Sequence, residues 1–394
     1  MAKEKKYKII IAAGGTGGHV FPAIALAKKF KSDGHQVVII ATGNDLEKKI
    51  FSQDEIDVIY FESRFKDVSQ FRKYISLLTP PKMDLIKYVR DFNPNLVLGM
   101  GGYASLDVCK SASYIFDHED SDDHFMMQNK ITPFIAIQEQ NSKAGRANKY
   151  IAMWRARAVI EGFPDAFDWK TRFFQTSNDD LIFLGNPVRN EILNVSRKVR
   201  SYNEYSKNPR ILVLGGSQGA RPINFAIPEA IKKLSSEMNI EVVHQTGELD
   251  YQDIYQIYKE NKSSADIFPF IKDMAQAYEW ADLLIGRAGA MTVSETSAIG
   301  LPSILIPFPY ALDNHQLFNA QFLEKKGGAL IIKDKDLNPK VLAAKIHSIF
   351  KEQGKLEGMS DAAFDKKFVD ATVNIVNFCY KTIEKHQFRN DYPN

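Results

Sequence analysis

An apolar run and a glycine-rich turn, Lys8-Ile9-Ile10-Ile11-Ala12-Ala13 followed by Gly14-Gly15-Thr16-Gly17-Gly18-His19, decide the fold of this chain. Short runs rich in β-branched residues are typical of buried parallel strands, and a glycine turn after such a run leads into a helix. A second stretch of this kind, Arg210–Leu214 followed by Gly215-Gly216-Ser217-Gln218-Gly219-Ala220, lies about half a chain later. We therefore expect two Rossmann-like halves, each with a helix N-terminus suited to an anionic ligand.

The domain plan follows from the length and from the alternation of strand-like and helix-like segments. With 394 residues the chain can bury two cores. We predict an α/β fold of two Rossmann-like, doubly wound domains that face a cleft, the first covering 1–187 and completed by 368–394, the second covering 188–367. The predicted strands are 8–13, 36–41, 57–61, 95–100, 133–137, 210–214, 241–247, 266–270, 282–285 and 303–307.

Composition restricts the classes of partner. The net charge of +3 is too small to indicate a nucleic-acid-binding protein, and no apolar stretch reaches the ~20 residues that span a bilayer. The two cysteines lack metal-ligand spacing, so we expect buried thiols, a reducing compartment and no metal site. The acidic stretch 117–124 indicates an exposed loop, with metal binding by its two histidines as the sharper alternative.

The glycine turns do not fit the two commonest nucleotide motifs. A dinucleotide site needs a carboxylate at the end of the second strand to hold the ribose, whereas the corresponding strands here lead into Thr42 and Thr246. Neither turn contains the Gly-Lys-Ser/Thr sequence of a P-loop. An architecture whose two halves hold two different substrates remains.

Six motifs, in this order, carry a resemblance to a known family: Gly14–Pro22, Gly101–Tyr103, Glu139–Asn141, Gly185–Arg189, Gly215–Ala220 and Asp313–Ala320. Together they resemble the MurG family of bacterial glycosyltransferases, which has the glycosyltransferase B architecture. The resemblance implies an inverting transfer of N-acetylglucosamine from UDP-N-acetylglucosamine to the C4 hydroxyl of undecaprenyl-pyrophosphoryl-N-acetylmuramoyl-pentapeptide (lipid I), which gives lipid II for peptidoglycan synthesis. It implies no cofactor and no metal, since UDP-N-acetylglucosamine is a substrate.

The resemblance also implies the donor contacts. They fall on Thr16, Gly17, Gly18, Asn141, Arg189, Ser217, Ile271, Ala290, Met291, Thr292, Glu295, His315, Gln316 and Asn319. Ser217 and nearby N–H groups would bind the diphosphate, Arg189 would add a charge-assisted contact, the backbone near Ile271 would read uracil, and Glu295 would bind the ribose hydroxyls. Gln316, with His315 and Asn319 near it, would read the sugar. The plainer explanations are a helix cap for Ser217, a first-turn carboxylate for Glu295 and a surface ion pair for Arg189.

The acceptor side centres on His19. An inverting transfer needs a base for the attacking hydroxyl, and histidine has a suitable pKa; the alternative is that His19 contacts acceptor phosphate or caps the turn. The resemblance implies further acceptor contacts at Gly14, Gly15, Tyr103, Glu139 and Gln140, and the glycines at 17 and 18 and Asn141 are expected to face the acceptor as well as the donor.

A lipid-linked acceptor implies contact with a membrane surface. Residues 65–92 mix Phe71, Tyr74 and other apolar residues with basic ones, which suits the anionic cytoplasmic face of the membrane; a helix with its apolar side in the core is the plainer explanation. Three other functions stay open: a UDP-sugar:diacylglycerol glycosyltransferase, a UDP-N-acetylglucosamine 2-epimerase, and a non-catalytic nucleotide-sugar-binding protein.

Overall fold

A computed structural model describes residues 5–63, 80–118, 133–167, 181–195 and 208–391. The chain divides into two compact units. The first consists of Met1–Gln140, Ala144–Pro187 and Asp370–Asn394, and the second consists of Asn141–Lys143 and Val188–Val369.

The described residues of the first unit form a sheet of seven parallel strands in the order β3-β2-β1-β4-β5-β6-β7. The strands are β1 (Lys8–Ala12), β2 (Gln36–Ala41), β3 (Val58–Tyr60), β4 (Leu96–Gly99), β5 (Phe134–Glu139), β6 (Ala158–Glu161) and β7 (Leu181–Phe183). The strand order reverses between β1 and β4, and in doubly wound sheets ligands bind at the carboxyl ends of the strands at this switch point.

Helices cover both faces of this sheet. They are α1 (Gly17–Ser32), α2 (Asp45–Phe51), α3 (Met83–Phe92), α4 (Gly102–His118) and α5 (Arg146–Trp154), together with the C-terminal helix Ala371–Asp391. Because side chains alternate along a strand, Ile9 and Ile11 enter one core with α1 and the C-terminal helix, and Ile10 enters the other with α3, α4 and α5. The hydroxyl of Tyr380, on the C-terminal helix, donates to Asp33 over 2.8 Å.

The second unit repeats the plan with six parallel strands among its described residues, in the order β10-β9-β8-β11-β12-β13. The strands are β8 (Arg210–Leu214), β9 (Glu241–Gln245), β10 (Ser264–Phe268), β11 (Leu283–Gly286), β12 (Ser303–Leu305) and β13 (Ala329–Ile331). The helices are α6 (Asn190–Leu193), α7 (Arg221–Leu234), α8 (Tyr251–Glu260), α9 (Met274–Trp280), α10 (Ala290–Ile299), α11 (His315–Lys326), α12 (Pro339–Lys351), α13 (Lys355–Ala363) and α14 (Lys366–Val369). Its switch point lies between β8 and β11.

The two cysteines are buried free thiols, as the sequence predicted. Burial raises the pKa of Cys109 and of Cys379 to about 12, so both stay protonated at neutral pH.

Candidate functional site

His19 lies at the switch point of the first unit, in the turn that joins β1 to α1. The helix begins at Gly17 with Thr16 at its N-cap, so His19 belongs to the first turn of the helix. Its Nδ1 lies 2.9 Å from the carbonyl oxygen of Gly14. Because a carbonyl oxygen can only accept, Nδ1 carries a proton, so in the neutral form of the ring Nε2 is the basic nitrogen.

The glycine turn after β4 makes room for the His19 ring. A Cβ atom on Gly101 would lie 3.0 Å from His19 Nε2, and one on Gly102 would lie 2.8 Å from the Gly14 carbonyl oxygen. Both glycines have positive φ angles, +101° and +75°. The hydroxyl of Ser105 fixes this turn by donating to the Gly101 carbonyl and accepting from the Gly101 N–H, both over 2.8 Å. The two glycine turns at the switch point therefore enclose the imidazole.

Glu47 is a site residue that sequence reasoning missed. It lies on α2 and is fully buried, and its carboxylate accepts from the N–H of Gly15 over 2.5 Å and from the N–H of Gly43 over 2.6 Å. The Thr42 hydroxyl and the Asn44 amide also donate to it, over 2.7 and 2.8 Å. The chain's own carboxylate thus occupies the Gly15 N–H, which a glycine turn ordinarily offers to a bound anion.

We expect Glu47→Gln to impair turnover while leaving UDP affinity unchanged. A glutamine would turn an NH₂ group toward at least one of the four donors, which leaves that donor unsatisfied and costs about 1–3 kcal/mol of stability. The turn that supports His19 would loosen, whereas the second unit would be unaffected. Calorimetric titration with UDP and a turnover assay measure the two effects.

Glu161→Gln is the matched control, because Glu161 is also buried in the first unit and its carboxylate accepts from the Phe167 N–H over 3.1 Å. Equal losses of turnover in the two variants would show that Glu47 has no particular role at the turn.

The predicted acceptor residues at the end of β5, Glu139 and Gln140, are buried and make hydrogen bonds within the first unit. The Glu139 carboxylate accepts from the Gly145 N–H and from the Asn148 amide, both over 2.9 Å. The Asn186 amide donates to the Gln140 carbonyl over 2.8 Å, and Gln140 is 1% exposed. Tyr103, at the start of α4, is 40% exposed, so it is the more accessible of these predicted acceptor contacts.

In the second unit the glycine turn after β8 is packed tightly against the end of β9. A Cβ atom on Gly219 would lie 1.8 Å from the Thr246 carbonyl oxygen, and Gly219 has a φ of +76°. Ser217 is exposed, and α7 begins only at Arg221 with Ala220 at its N-cap. Ser217 is therefore not a helix cap, which removes its plainer explanation.

Gln245, at the carboxyl end of β9, joins two parts of the predicted donor site. Its Nε2 donates to the Gly216 carbonyl over 2.9 Å, and its Oε1 accepts from the Ile271 N–H over 2.8 Å. The turn predicted to bind the diphosphate and the segment predicted to read uracil are thus held by one amide side chain. None of the six sequence motifs includes Gln245.

His244, beside Gln245, gives the stability of this unit a pH dependence. Its ring lies 3.1 Å from the Tyr258 hydroxyl and from Asn224 Oδ1, and burial lowers its pKa to about 3 from 6.5. Between these values the unfolded chain binds a proton that the folded chain does not, so stability is lost as the pH falls below 6.5.

We expect wild type to lose about 2 kcal/mol more of its free energy of unfolding than His244→Asn between pH 7 and pH 5. Calorimetric melting of both proteins at the two pH values measures the difference, since all other groups titrate alike. Parallel losses would contradict a neutral His244.

Arg189 and Glu295 form a mostly buried ion pair. Arg189 Nη2 and Nε donate to Glu295 Oε1 over 3.0 and 3.3 Å, and the Tyr278 hydroxyl donates to Oε2 over 2.8 Å. Burial would lower the pKa of Arg189, but the Glu295 charge and hydrogen bond raise it. Glu295 is 5% exposed and lies in the second turn of α10. Neither a surface ion pair nor a first-turn carboxylate describes these two residues.

The remaining predicted donor residues lie on α10 and α11. Ala290, Met291 and Thr292 form the first turn of α10, which follows β11 after a three-residue connection at the switch point. The Asn319 amide, fully buried, donates to the Ala288 carbonyl and to Asn141 Oδ1, both over 3.2 Å. Gln316 and His315 hold the loop before α11: Gln316 Oε1 accepts from the Phe308 N–H over 2.9 Å, and His315 Nδ1 donates to the Leu312 carbonyl over 2.7 Å.

Comparison with known proteins places both units in one family. The family model for the glycosyltransferase family 28 N-terminal domain matches residues 9–160, and the model for the family 28 C-terminal domain matches residues 210–375. A curated protein of Stutzerimonas stutzeri, UDP-N-acetylglucosamine--N-acetylmuramyl-(pentapeptide) pyrophosphoryl-undecaprenol N-acetylglucosamine transferase, is 35% identical over 94% of this chain and 97% of its own length. The same-named protein of Methylococcus capsulatus is 34% identical over 94% and 98%.

The chain belongs to the MurG family. The crystal structure of Acinetobacter baumannii MurG is 28% identical, with a TM-score of 0.73, and the match covers 95% of this chain and 99% of that one. A UDP-N-acetylglucosamine 2-epimerase structure also matches, with a TM-score of 0.63 at 13% identity, which shows a shared fold alone. The MurG relationship confirms the predicted two-domain α/β architecture and the hexosyltransferase class.

Two further predictions, on the basic-apolar stretch 65–92 and the acidic stretch 117–124, concern residues of which the structure describes only a part. Of the basic-apolar stretch, 65–79 lies outside the described residues; in α3 the apolar side chains Leu85, Ile86 and Val89 are buried in the core. Most of the acidic stretch, 119–124, also lies outside. Among the described residues of this MurG-family chain, no three His, Cys, Asp or Glu side chains are grouped to hold a metal ion. No helix in these ranges is both long and apolar enough to cross a bilayer.

Proposed function

We propose that this chain transfers N-acetylglucosamine from UDP-N-acetylglucosamine to the C4 hydroxyl of lipid I, with inversion at the anomeric carbon, and so forms lipid II. The observation that carries the proposal is the 35% identity, over nearly the whole of both chains, to a transferase whose name states this donor sugar and this acceptor. The proposed product serves peptidoglycan synthesis, and thereby cell shape and division.

The proposed donor site is built on the second unit. The exposed Ser217 and the N–H groups of its glycine turn are proposed to bind the diphosphate, next to the base-reading segment at Ile271 that Gln245 joins to the same turn. Glu295 is proposed to bind the ribose. Arg189, already charged and ordered by Glu295, is proposed to stabilise the negative charge that develops as UDP leaves.

In the proposed reaction His19 is the general base. The C4 oxygen of the acceptor forms a bond to the anomeric carbon while the bond from that carbon to the β-phosphate oxygen breaks. The bonding electron pair leaves with UDP, and the hydroxyl proton passes to Nε2 of His19. The hydrogen bond from Nδ1 to the Gly14 carbonyl supports this assignment, since it selects the tautomer in which Nε2 is basic.

The experiment is UDP release by the purified chain with UDP-N-acetylglucosamine and a soluble lipid I analogue, with and without EDTA. We expect release that requires the analogue and is insensitive to EDTA. Release that depends on diacylglycerol would favour the diacylglycerol glycosyltransferase, and conversion to UDP-N-acetylmannosamine without any acceptor would favour the epimerase. UDP-sugar binding without either reaction would favour the non-catalytic protein.

We also propose that the chain acts at the cytoplasmic face of the membrane as a peripheral protein, because its proposed acceptor is lipid-linked. The basic residues Lys66, Arg72 and Lys73 beside Phe71 support this proposal by their charge. Replacing all three with glutamine is expected to reduce co-sedimentation with anionic vesicles at low salt. Unchanged co-sedimentation would exclude this stretch as the membrane contact.

A further inference from the structure

The carboxylate of Glu295 has few acceptor positions left for a ligand. A carboxylate offers about four lone-pair positions, two on each oxygen. Oε1 accepts both Arg189 donors, and Oε2 accepts the Tyr278 hydroxyl. While these partners stay in place, one position remains, on Oε2. A ribose hydroxyl that donates to Glu295 therefore shares Oε2 with the Tyr278 hydroxyl, which donates to the same oxygen.

Tyr278 is placed to set the direction of that oxygen. It is 1% exposed and lies on α9, which begins at Met274, three residues after the base-reading Ile271. Burial and the neighbouring Glu295 raise its pKa well above 10, so the hydroxyl remains a donor at any working pH. The helix that follows the uracil segment is thus hydrogen-bonded to the carboxylate proposed to bind the ribose.

We propose that Tyr278 is a positioning residue for nucleoside recognition: it fixes Glu295 Oε2 so that the carboxylate binds one ribose hydroxyl of a uridine diphosphate. The inference rests on the proposed function in requiring that the second unit bind UDP with its ribose at Glu295. Neither the six motifs nor the resemblance assigned a role to this tyrosine. Its effect is on affinity and on discrimination between nucleotides, not on the chemical step.

The test is calorimetric titration of the full chain with UDP, 2′-deoxy-UDP and 3′-deoxy-UDP. For wild type we expect one deoxynucleotide to bind about tenfold more weakly than UDP and the other to bind within about threefold of it, because one acceptor position is available. Tyr278→Phe removes only the hydroxyl. It is expected to weaken UDP about tenfold and to bring the discriminated deoxynucleotide to within about threefold of UDP.

Tyr258→Phe is the matched control, since Tyr258 is equally buried in the same unit and its hydroxyl lies 3.1 Å from His244 instead. Its UDP affinity and discrimination are expected to match wild type. In a Glu295→Gln background, Tyr278→Phe is expected to change UDP affinity less than about twofold, because a residue that acts through Glu295 has no effect without it.

The outcomes separate the inference from the proposed function. If wild type does not bind UDP, the proposed donor site is wrong. If wild type binds UDP but Tyr278→Phe keeps both affinity and discrimination, or binds UDP more tightly, the role of Tyr278 is wrong. Equal penalties for the two deoxynucleotides in wild type would overturn the single-hydroxyl assignment even if the variant failed to fold.

Discussion

Replacing His19 with glutamine is expected to reduce turnover by roughly 10²- to 10⁴-fold, the range that general-base catalysis contributes. Glutamine can still donate to the Gly14 carbonyl, so the hydrogen bond now made by Nδ1 over 2.9 Å has a substitute. The variant cannot accept the hydroxyl proton at a nitrogen. UDP affinity is expected to stay within about twofold of wild type, because Ser217, Ile271 and Glu295, the proposed contacts to UDP, lie in the second unit.

His35→Gln is the control for this experiment. His35 is in the first unit, directly before β2, and its Nδ1 lies 3.3 Å from the Tyr7 N–H. The control is expected to keep full turnover. If His19→Gln instead raised the acceptor KM with an unchanged kcat, His19 would contact the acceptor without acting as the base. Unchanged turnover would remove it from both roles.

Replacing Gly219 with alanine is expected to abolish donor binding and to destabilise the second unit. The new methyl group would lie 1.8 Å from the Thr246 carbonyl oxygen, and the φ of +76° adds strain for any L residue. Both the turn at Gly219 and the segment at Thr246 are backbone, so relieving the overlap requires moving the turn that carries Ser217. We expect a loss of about 4 kcal/mol, which lowers Tm by roughly 10 °C.

Gly354→Ala is the control that separates the effect of backbone strain from the effect of steric overlap at Gly219. Gly354 has a φ of +74°, nearly that of Gly219, but beyond its two chain neighbours no atom lies within 4 Å of its hypothetical Cβ. Its substitution is expected to cost only about 1 kcal/mol, the strain of a left-handed alanine. Calorimetric melting and UDP titration of both variants measure the difference. Similar losses in the two proteins would mean that the packing of the turn against β9 has no special importance.

Local signals account for what the sequence predicted well. The strands β2 and β8 have the predicted bounds, and β1 ends one residue earlier than predicted, because β-branched residues and flanking glycines report on local structure. The strands β6, β7 and β13 were missed. The helix α1 begins at Gly17, within the predicted turn Gly14–His19, because the last glycines of that turn also form the first helical residues.

The residues that hold the site together could not be predicted in this way. Glu47, Gln245 and Tyr278 act on partners up to 32 residues away in the chain, and only the sheet order brings them together. Glu139 illustrates the reverse case. Its position in a motif predicts an acceptor contact, which stays a prediction, and the structure adds that its carboxylate accepts from the Gly145 N–H and from the Asn148 amide. A motif identifies the neighbourhood of a site more securely than the role of each residue.

The identity of the product tests the central proposal most directly. The purified chain would be incubated with UDP-N-acetylglucosamine and a lipid I analogue, and the lipid product would be analysed by mass spectrometry and NMR. The proposed function predicts an acceptor that carries one added N-acetylglucosamine, β-linked to C4 of the N-acetylmuramoyl residue. An unmodified acceptor, or a sugar added to diacylglycerol in a competition with both acceptors, would contradict it.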